Sequence, residues 1–180
     1  YSNRGYVLQD LKRFDEALES YELAIQIKPD YADAHNNLGK NLNDLGRFNE
    51  AEASYSRALE INPDFEMAHR NLAITLKELG RLEEAMDAAI KLIKIKSTVE
   101  AKSLFIDLTK KIGIQNWNQS LAQVVITALL DPWGRPSDLM SSACRLLRAD
   151  KELVNILNQL KEDDSRSNCD ESFLGSISKK

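Results

Sequence analysis

The chain has 180 residues, of which 43% are hydrophobic and 29% charged, and its formal net charge is -4, so we expect a soluble chain that forms one domain or a short repeat array. The mild negative charge provides no basic face for nucleic acid, and no apolar run approaches the roughly 20 residues of a membrane-spanning helix, so we expect neither partner. The two cysteines, Cys144 and Cys169, lie far apart without a CxxC-type spacing, which favours free thiols in a reducing compartment and a cytoplasmic location.

Three segments of the chain superimpose without a gap at a shift of 34 residues, and they cover residues 1–31, 32–65 and 66–99. The pattern of small and large apolar residues predicts two helices in each segment, because small residues allow close helix approach and large ones fill the gaps between hairpins. The repeated positions of the first two segments are Gly5, Leu8, Ala17, Tyr21, Ala24 and Pro29, then Gly39, Leu42, Ala51, Tyr55, Ala58 and Pro63.

This pattern resembles the tetratricopeptide repeat (TPR), in which aromatic, Leu-Gly, Ala and Pro positions recur over 34 residues. The resemblance covers roughly the first 97 residues and implies an all-α, right-handed α-α superhelix, or TPR solenoid. Three hairpins are expected in residues 1–97, and the first lacks its initial three positions, so we expect the chain to begin within a longer protein. The third has Ala89 in place of the aromatic and Ser97 in place of the proline, as expected near a terminal unit.

The segments between helices predict specific helix ends. Gly46 and Gly80 follow the first helices, where a left-handed residue closes a helix, and Lys12 takes this position in the first copy. Asp15 and Asn49 lie where a side-chain oxygen can cap the second helix.

The side of each first helix opposite its packing face, placed on a wheel at 100° per residue, corresponds by resemblance to the concave groove in which TPR proteins bind partners. This implies an unidentified protein or peptide partner. The candidate binding residues are Asn3, Tyr6, Asp33, Asn36, Asn37, Lys40, Asn43, Asp44, Met67, Arg70, Asn71, Ile74 and Lys77.

One asparagine recurs on this side of every copy, at Asn3, Asn37 and Asn71. A primary amide both donates and accepts hydrogen bonds, and neighbouring helices about 8–10 Å apart match roughly three extended peptide residues. The spacing resembles the asparagine ladder of O-linked N-acetylglucosamine transferases and implies contact with a bound backbone. An alternative remains open, since Asn-Leu-Gly is common in TPR sequences and the amide then only organises local contacts.

Other site chemistries are disfavoured. The positions that correspond to a chaperone-type carboxylate clamp are Ser2, Tyr6, Met67 and Asn71, which lack the required cations, so we expect no carboxylate-clamp chaperone tail as partner. The histidines at positions 35 and 69 occupy the aromatic slot at the helix start, and packing is favoured over a metal site. No nucleophile-base pair, phosphate loop or HExxH motif occurs, so we expect no enzyme activity and no cofactor.

The second half of the chain loses the 34-residue register. Apolar stripes predict a helix from Glu100 to Ile112 and further helices over 98–160 that cap the stack, followed by a polar tail or linker over 161–180. The turn "DPWGRPSDL" holds Trp133 either in a hydrophobic gap or as an exposed contact.

Two alternative functions remain at this stage. The turn resembles segments of bacterial TPR proteins fused to a methyltransferase-type domain. This implies a regulatory or substrate-presenting arm of a larger bacterial transferase, methyltransferase- or glycosyltransferase-like, with the catalytic domain absent from this sequence. Self-association through the truncated first repeat is the other alternative.

Overall fold

The computed structural model describes residues 1–111, and every regular element in this range is a helix. The predictions for residues 112–180, including Trp133, the capping helices and the tail, lie outside the described residues. The helix predicted from Glu100 is observed as the seventh element. The elements are α1 (Ser2–Asp10), α2 (Phe14–Ile27), α3 (Ala32–Asp44), α4 (Phe48–Ile61), α5 (Glu66–Glu78), α6 (Leu82–Ile95) and α7 (Val99–Lys111).

The helices form hairpins that stack in chain order. Helix α1 packs on α2, α3 on α4, and α5 on α6, and the second helix of each hairpin also packs on the first helix that follows it. The first helices α1, α3 and α5 are therefore neighbours along one side of the stack. This arrangement confirms the predicted all-α repeat solenoid. No helix in residues 1–111 is long and apolar enough to cross a membrane.

Close approach of the two helices within a hairpin depends on glycine. A Cβ built on Gly39 would lie 2.7 Å from Cε1 of Tyr55, and one built on Gly5 would lie 2.6 Å from Cε1 of Tyr21. Both rings are almost completely buried, at 0–1% exposure. Because atoms this close would overlap, the ring and the missing Cβ are complementary in volume.

The first helices end as the sequence predicts. Gly46 and Gly80 adopt φ values of 74° and 76°, and Lys12 adopts the same left-handed conformation at φ 59°. The amide of the residue after each bonds back to the helix, as in Arg47 N to Leu42 O at 2.8 Å. This bonding satisfies a carbonyl that the helix end would otherwise leave free.

The predicted caps of the second helices are wrong. The N-cap residues of α2 and α4 are Arg13 and Arg47, without a side-chain cap bond, and Asp15 and Asn49 are the second residues within those helices. The helices begin before the proposed caps, so Asp15 and Asn49 lie within the first turn and not at the N-cap position. In place of a cap, an arginine binds the glutamate three residues later in every repeat. The pairs are Arg13–Glu16 at 2.5 Å, Arg47–Glu50 at 2.6 Å and Arg81–Glu84 at 2.5 Å.

Candidate binding groove

The candidate residues share the side of α1, α3 and α5 described above, and we call these thirteen side chains the groove face. Their exposure varies with position along the stack. Seven are exposed: Asn3, Tyr6, Asp33, Lys40, Asp44, Met67 and Arg70. Five are half-buried: Asn37, Asn43, Asn71, Ile74 and Lys77.

Asn36 differs from the other twelve because its side chain is buried, with 1% exposure. It therefore presents almost no surface to a ligand. Its Oδ1 accepts a hydrogen bond of 3.0 Å from Nδ2 of Asn71, across the boundary between two repeats. Its Nδ2 donates a longer bond of 3.4 Å to Oδ1 of Asn37. Two of the three ladder asparagines are thus joined through a buried amide.

Asn3 has a different environment from the other two ladder asparagines. It is exposed, and its side chain has no hydrogen-bond partner among residues 1–111. The residue in its repeat that corresponds to Asn36 is Ser2, so α1 lacks the buried amide. The sequence predicts three equal positions, whereas the structure has two linked amides and one free amide.

A second link joins α1 to α3 at the other end of the groove face. Nε2 of Gln9 donates to Oδ2 of Asp44 at 2.7 Å, and the hydroxyl of Tyr21 donates to Oε1 of Gln9 at 3.1 Å. Gln9 is 6% exposed, so a buried amide connects a core tyrosine with an exposed carboxylate of the next repeat. Burial raises the pKa of Tyr21 to about 12, and the negative charges of Asp10 and Asp44 add to this shift.

A third link joins α3 to α5. Oγ1 of Thr75 donates to Oδ1 of Asn43 at 3.0 Å, and Thr75 is fully buried. The pKa of Tyr55 is raised mainly by burial and also by Asp44, while a hydrogen bond with Thr75 opposes the shift. The core tyrosines of the first two hairpins therefore both connect to adjacent groove residues at the end of α3.

Gln9 and Thr75 form hydrogen bonds with groove residues but are not among the thirteen candidates. Gln9 corresponds to Asn43 and Lys77 at the 34-residue spacing, and this polar recurrence was a signal that could have identified it. Thr75 had no such signal, because the equivalent residues are Val7 and Asn41.

The groove face offers apolar anchors and charges of both signs. Tyr6 and Met67 are 52% and 57% exposed, so both present apolar surface that a ligand could bury. Arg70 and Lys77 place positive charge on α5, whereas Asp44 places negative charge on α3. A partner can therefore gain apolar burial as well as charge pairing.

The two histidines have packing roles. His35 and His69 are buried, and their Nε2 atoms lie 2.9 Å and 2.8 Å from the carbonyl oxygens of Pro29 and Pro63. Because a carbonyl only accepts, Nε2 must carry the proton and donate. Among residues 1–111, no group of three or more His, Cys, Asp or Glu side chains is placed to hold a metal ion.

The groove face does not continue on α7. The residues that follow Asn71 and Ile74 by 34 positions are Phe105 and Leu108, and both are 0% exposed. Within residues 1–111, the groove face is therefore confined to α1, α3 and α5.

Comparisons with known proteins agree with this arrangement. Two family models described as tetratricopeptide repeat match residues 1–64 and 42–104. A search of curated proteins found no match to the sequence.

Several solved structures are similar in fold. The first TPR of Spaghetti (RPAP3), bound to an HSP90 peptide, has a TM-score of 0.60 and 19% identity, and the match covers 61% of this chain and 88% of that chain. The Arabidopsis OM64 TPR domain has a TM-score of 0.59 and 22% identity, with coverage of 62% and 93%. The second TPR domain of human RPAP3, in complex with an HSP70 peptide, has a TM-score of 0.57 and 18% identity, with coverage of 59% and 89%. At these identities the likeness concerns the fold.

Proposed function

Because the chain belongs to the tetratricopeptide-repeat family, we propose that it is a non-catalytic protein-interaction module that binds an extended peptide segment along the groove face. The observation that carries this proposal is the coexistence of amide side chains and exposed apolar side chains on neighbouring first helices. Asn3, Asn37 and Asn71 supply groups that suit any peptide backbone, and Tyr6 and Met67 supply surface that suits particular side chains.

The expected ligand is an internal peptide segment. The solved relatives described above include complexes with an HSP90 peptide and an HSP70 peptide. In this chain the clamp positions Ser2, Tyr6, Met67 and Asn71 carry no positive charge, so we propose that a free C-terminal carboxylate is not what is recognised. Arg70 and Lys77 favour an acidic side chain of the segment near α5.

Backbone contacts alone give modest affinity. Six hydrogen bonds to three amides contribute about 3–9 kcal/mol at roughly 0.5–1.5 kcal/mol each, while association costs about 4–15 kcal/mol. Burial of Tyr6 and Met67 must therefore supply part of the affinity. The proposal predicts a sequence-tolerant backbone with one or two preferred apolar positions.

The test is selection of peptides on the wild-type protein. A displayed library of random peptides of about 12 residues is long enough, because three helices about 8–10 Å apart span roughly six extended residues. The enriched peptide is then synthesised with a fluorophore, and its Kd is measured by fluorescence polarisation. We expect the double variant Asn37→Ala with Asn71→Ala to weaken binding about tenfold or more, because each amide contributes one or two hydrogen bonds.

A matched control removes two amides elsewhere. Gln26 and Asn49 are exposed residues of second helices, so Gln26→Ala with Asn49→Ala should leave the Kd unchanged. Asn71→Ala also deprives buried Asn36 of a donor, and we expect it to lower the free energy of unfolding by about 1–3 kcal/mol. Binding is therefore measured well below the unfolding transition. Equal affinities for the groove variant and the control variant would reject the proposal.

A further inference from the structure

Asn36 lies beneath the groove face and uses both ends of its amide on groove residues. With 1% exposure, it cannot contact a ligand directly. It accepts from Asn71 at 3.0 Å and donates to Asn37 at 3.4 Å. The two bonds form a chain in which Asn71 of α5 donates to Asn36, and Asn36 donates to Asn37 of α3.

This directed chain leaves the two groove amides with different free groups. An amide has two N–H donors and an oxygen with two lone pairs. Asn71 has used one donor and keeps its whole oxygen free, whereas Asn37 has used one lone pair and keeps both donors free. The hydrogen-bonding groups left for a ligand are therefore mainly an acceptor at Asn71 and two donors at Asn37.

We propose that Asn36 is a positioning residue that selects which backbone groups the two groove amides take, so that a bound peptide presents a carbonyl to Asn37 and an N–H to Asn71. The proposal rests on the proposed function, because it specifies how the same surface holds a backbone. A freely rotating amide can turn either its oxygen or its NH2 group toward the peptide. An amide held by Asn36 favours one of these, because Asn71 keeps its whole oxygen but only one donor, and Asn37 keeps both donors but only one lone pair.

The link occurs once in the described array. At the position of Asn36 the first repeat has Ser2 and the third has Arg70, and neither makes an equivalent bond to a groove amide. The selection of backbone groups therefore depends on the boundary between α3 and α5, while Asn3 adapts to whichever group it meets.

The first experiment needs no ligand. The variant Asn36→Leu replaces the amide with an apolar side chain of similar size and frees both groove amides. The matched control is Asn41→Leu, since Asn41 is also a buried amide of α3, but it bonds to the carbonyl of Phe14 at 2.8 Å and lies off the groove face. The measurement is hydrogen exchange of the side-chain NH2 groups, followed by NMR.

We expect one slowly exchanging proton on the Asn71 side chain of the wild-type protein. In Asn36→Leu this proton should exchange severalfold faster, and in Asn41→Leu it should be unchanged. Unaltered exchange of Asn71 in Asn36→Leu would overturn the positioning role.

The second experiment identifies the backbone N–H that binds Asn71, with the peptide enriched in the selection above. Each backbone N–H of that peptide is replaced in turn by an ester oxygen, which removes one donor. In wild type, one replacement should weaken binding about two- to tenfold, and Asn71→Ala should abolish that difference. In Asn36→Leu the same ester should have a smaller effect, although the unmodified peptide binds about two- to tenfold more weakly than to wild type.

The two proposals fail in different ways. If no peptide is enriched on wild type, the proposed function fails, and the exchange of the Asn71 protons alone decides whether Asn36 orders the amides. If a peptide binds through Asn37 and Asn71 but Asn36→Leu retains wild-type affinity and ester sensitivity, the peptide-binding function stands and the positioning role is overturned.

Discussion

The first two hairpins differ from the third in how their paired helices fill the space between them. In the first two, a glycine on the first helix faces a tyrosine on the second, as in Gly39 with Tyr55. In the third hairpin the same positions hold Ala73 and Ala89, and both are fully buried. Alanine takes the place of the glycine only in the hairpin where the tyrosine ring is also absent.

The replacement of glycine and tyrosine by two alanines also changes the hydrogen bonds next to the groove face. The hydroxyl of Tyr21 bonds to Gln9, and that of Tyr55 is in a hydrogen bond with Thr75. Both of these partners hold a groove residue of α3. Since Ala89 has no hydroxyl, it makes no such connection. The tyrosine thus adds a polar link from the core to the groove face, in addition to filling volume.

A double-mutant cycle on Gly39 and Tyr55 tests whether the ring fills the space that the glycine leaves. We expect it to give the largest changes in the free energy of unfolding. Tyr55→Ala should lower the free energy of unfolding by about 3–5 kcal/mol through the cavity it creates. Gly39→Ala alone should lower it by about 1–3 kcal/mol, because the added Cβ overpacks against the ring. In the Tyr55→Ala background, the same alanine should instead raise it by about 0.5–1 kcal/mol, because alanine favours a helix over glycine.

Urea unfolding of the four proteins measures the cycle. The control is Ala73→Gly in the third hairpin, which should cost about 1 kcal/mol because no aromatic ring benefits from the space. Additive effects of Gly39→Ala and Tyr55→Ala would show that the ring and the glycine are independent.

Alkaline pH should lower the free energy of unfolding by a smaller amount, through the buried tyrosine that the first hairpin has and the third lacks. The folded state holds the pKa of Tyr21 at about 12, above its ordinary value of 10.0. The folded protein keeps this proton while the unfolded chain loses it, so stability is intact below pH 10 and falls as the pH rises toward 12. The full shift corresponds to about 2–3 kcal/mol.

The measurement compares wild type with Tyr21→Phe by urea unfolding across this pH range. Near neutral pH the variant should be less stable, because the bond to Gln9 is lost. This deficit should shrink as the pH rises from 10 to 12, since phenylalanine does not titrate. A deficit that stays constant with pH would mean that Tyr21 ionises equally in both states.

Periodicity predicted the hairpins well, because the apolar spacing within each 34-residue unit directly reports which residues pack. It also predicted the exposed positions of Tyr6 and Met67, which lie opposite the packing stripe. It did not distinguish Asn36 from Asn37. The two are adjacent on the helix, but Asn36 is buried where Asn71 of the next repeat donates a hydrogen bond to it.

The caps failed for a related reason. Asp15 and Asn49 are typical cap residues, but α2 and α4 begin before them, at Phe14 and Phe48. A helix-wheel position is local, whereas burial between repeats and the start of a helix depend on neighbours that the wheel omits.

The turn after the first helix of each hairpin is where we expect the smallest difference in the free energy of unfolding between hairpins. Lys12 has φ 59° where Gly46 and Gly80 occupy the same turn. A left-handed conformation costs a non-glycine residue roughly 1–2 kcal/mol, while glycine loses about 0.5–1 kcal/mol through the freedom of its unfolded chain. Lys12→Gly should therefore raise the free energy of unfolding by about 0.5–1 kcal/mol, as measured by urea unfolding.

The reverse substitution, Gly46→Lys, is the matched control for Lys12→Gly. A Cβ at Gly46 would meet no atom within 4 Å, so Gly46→Lys changes the backbone preference without a steric clash. It should destabilise the protein by the amount that Lys12→Gly gains. If Gly46→Lys costs nothing, the left-handed turn does not limit stability, and the lysine of the first hairpin is equivalent to the glycines of the other two.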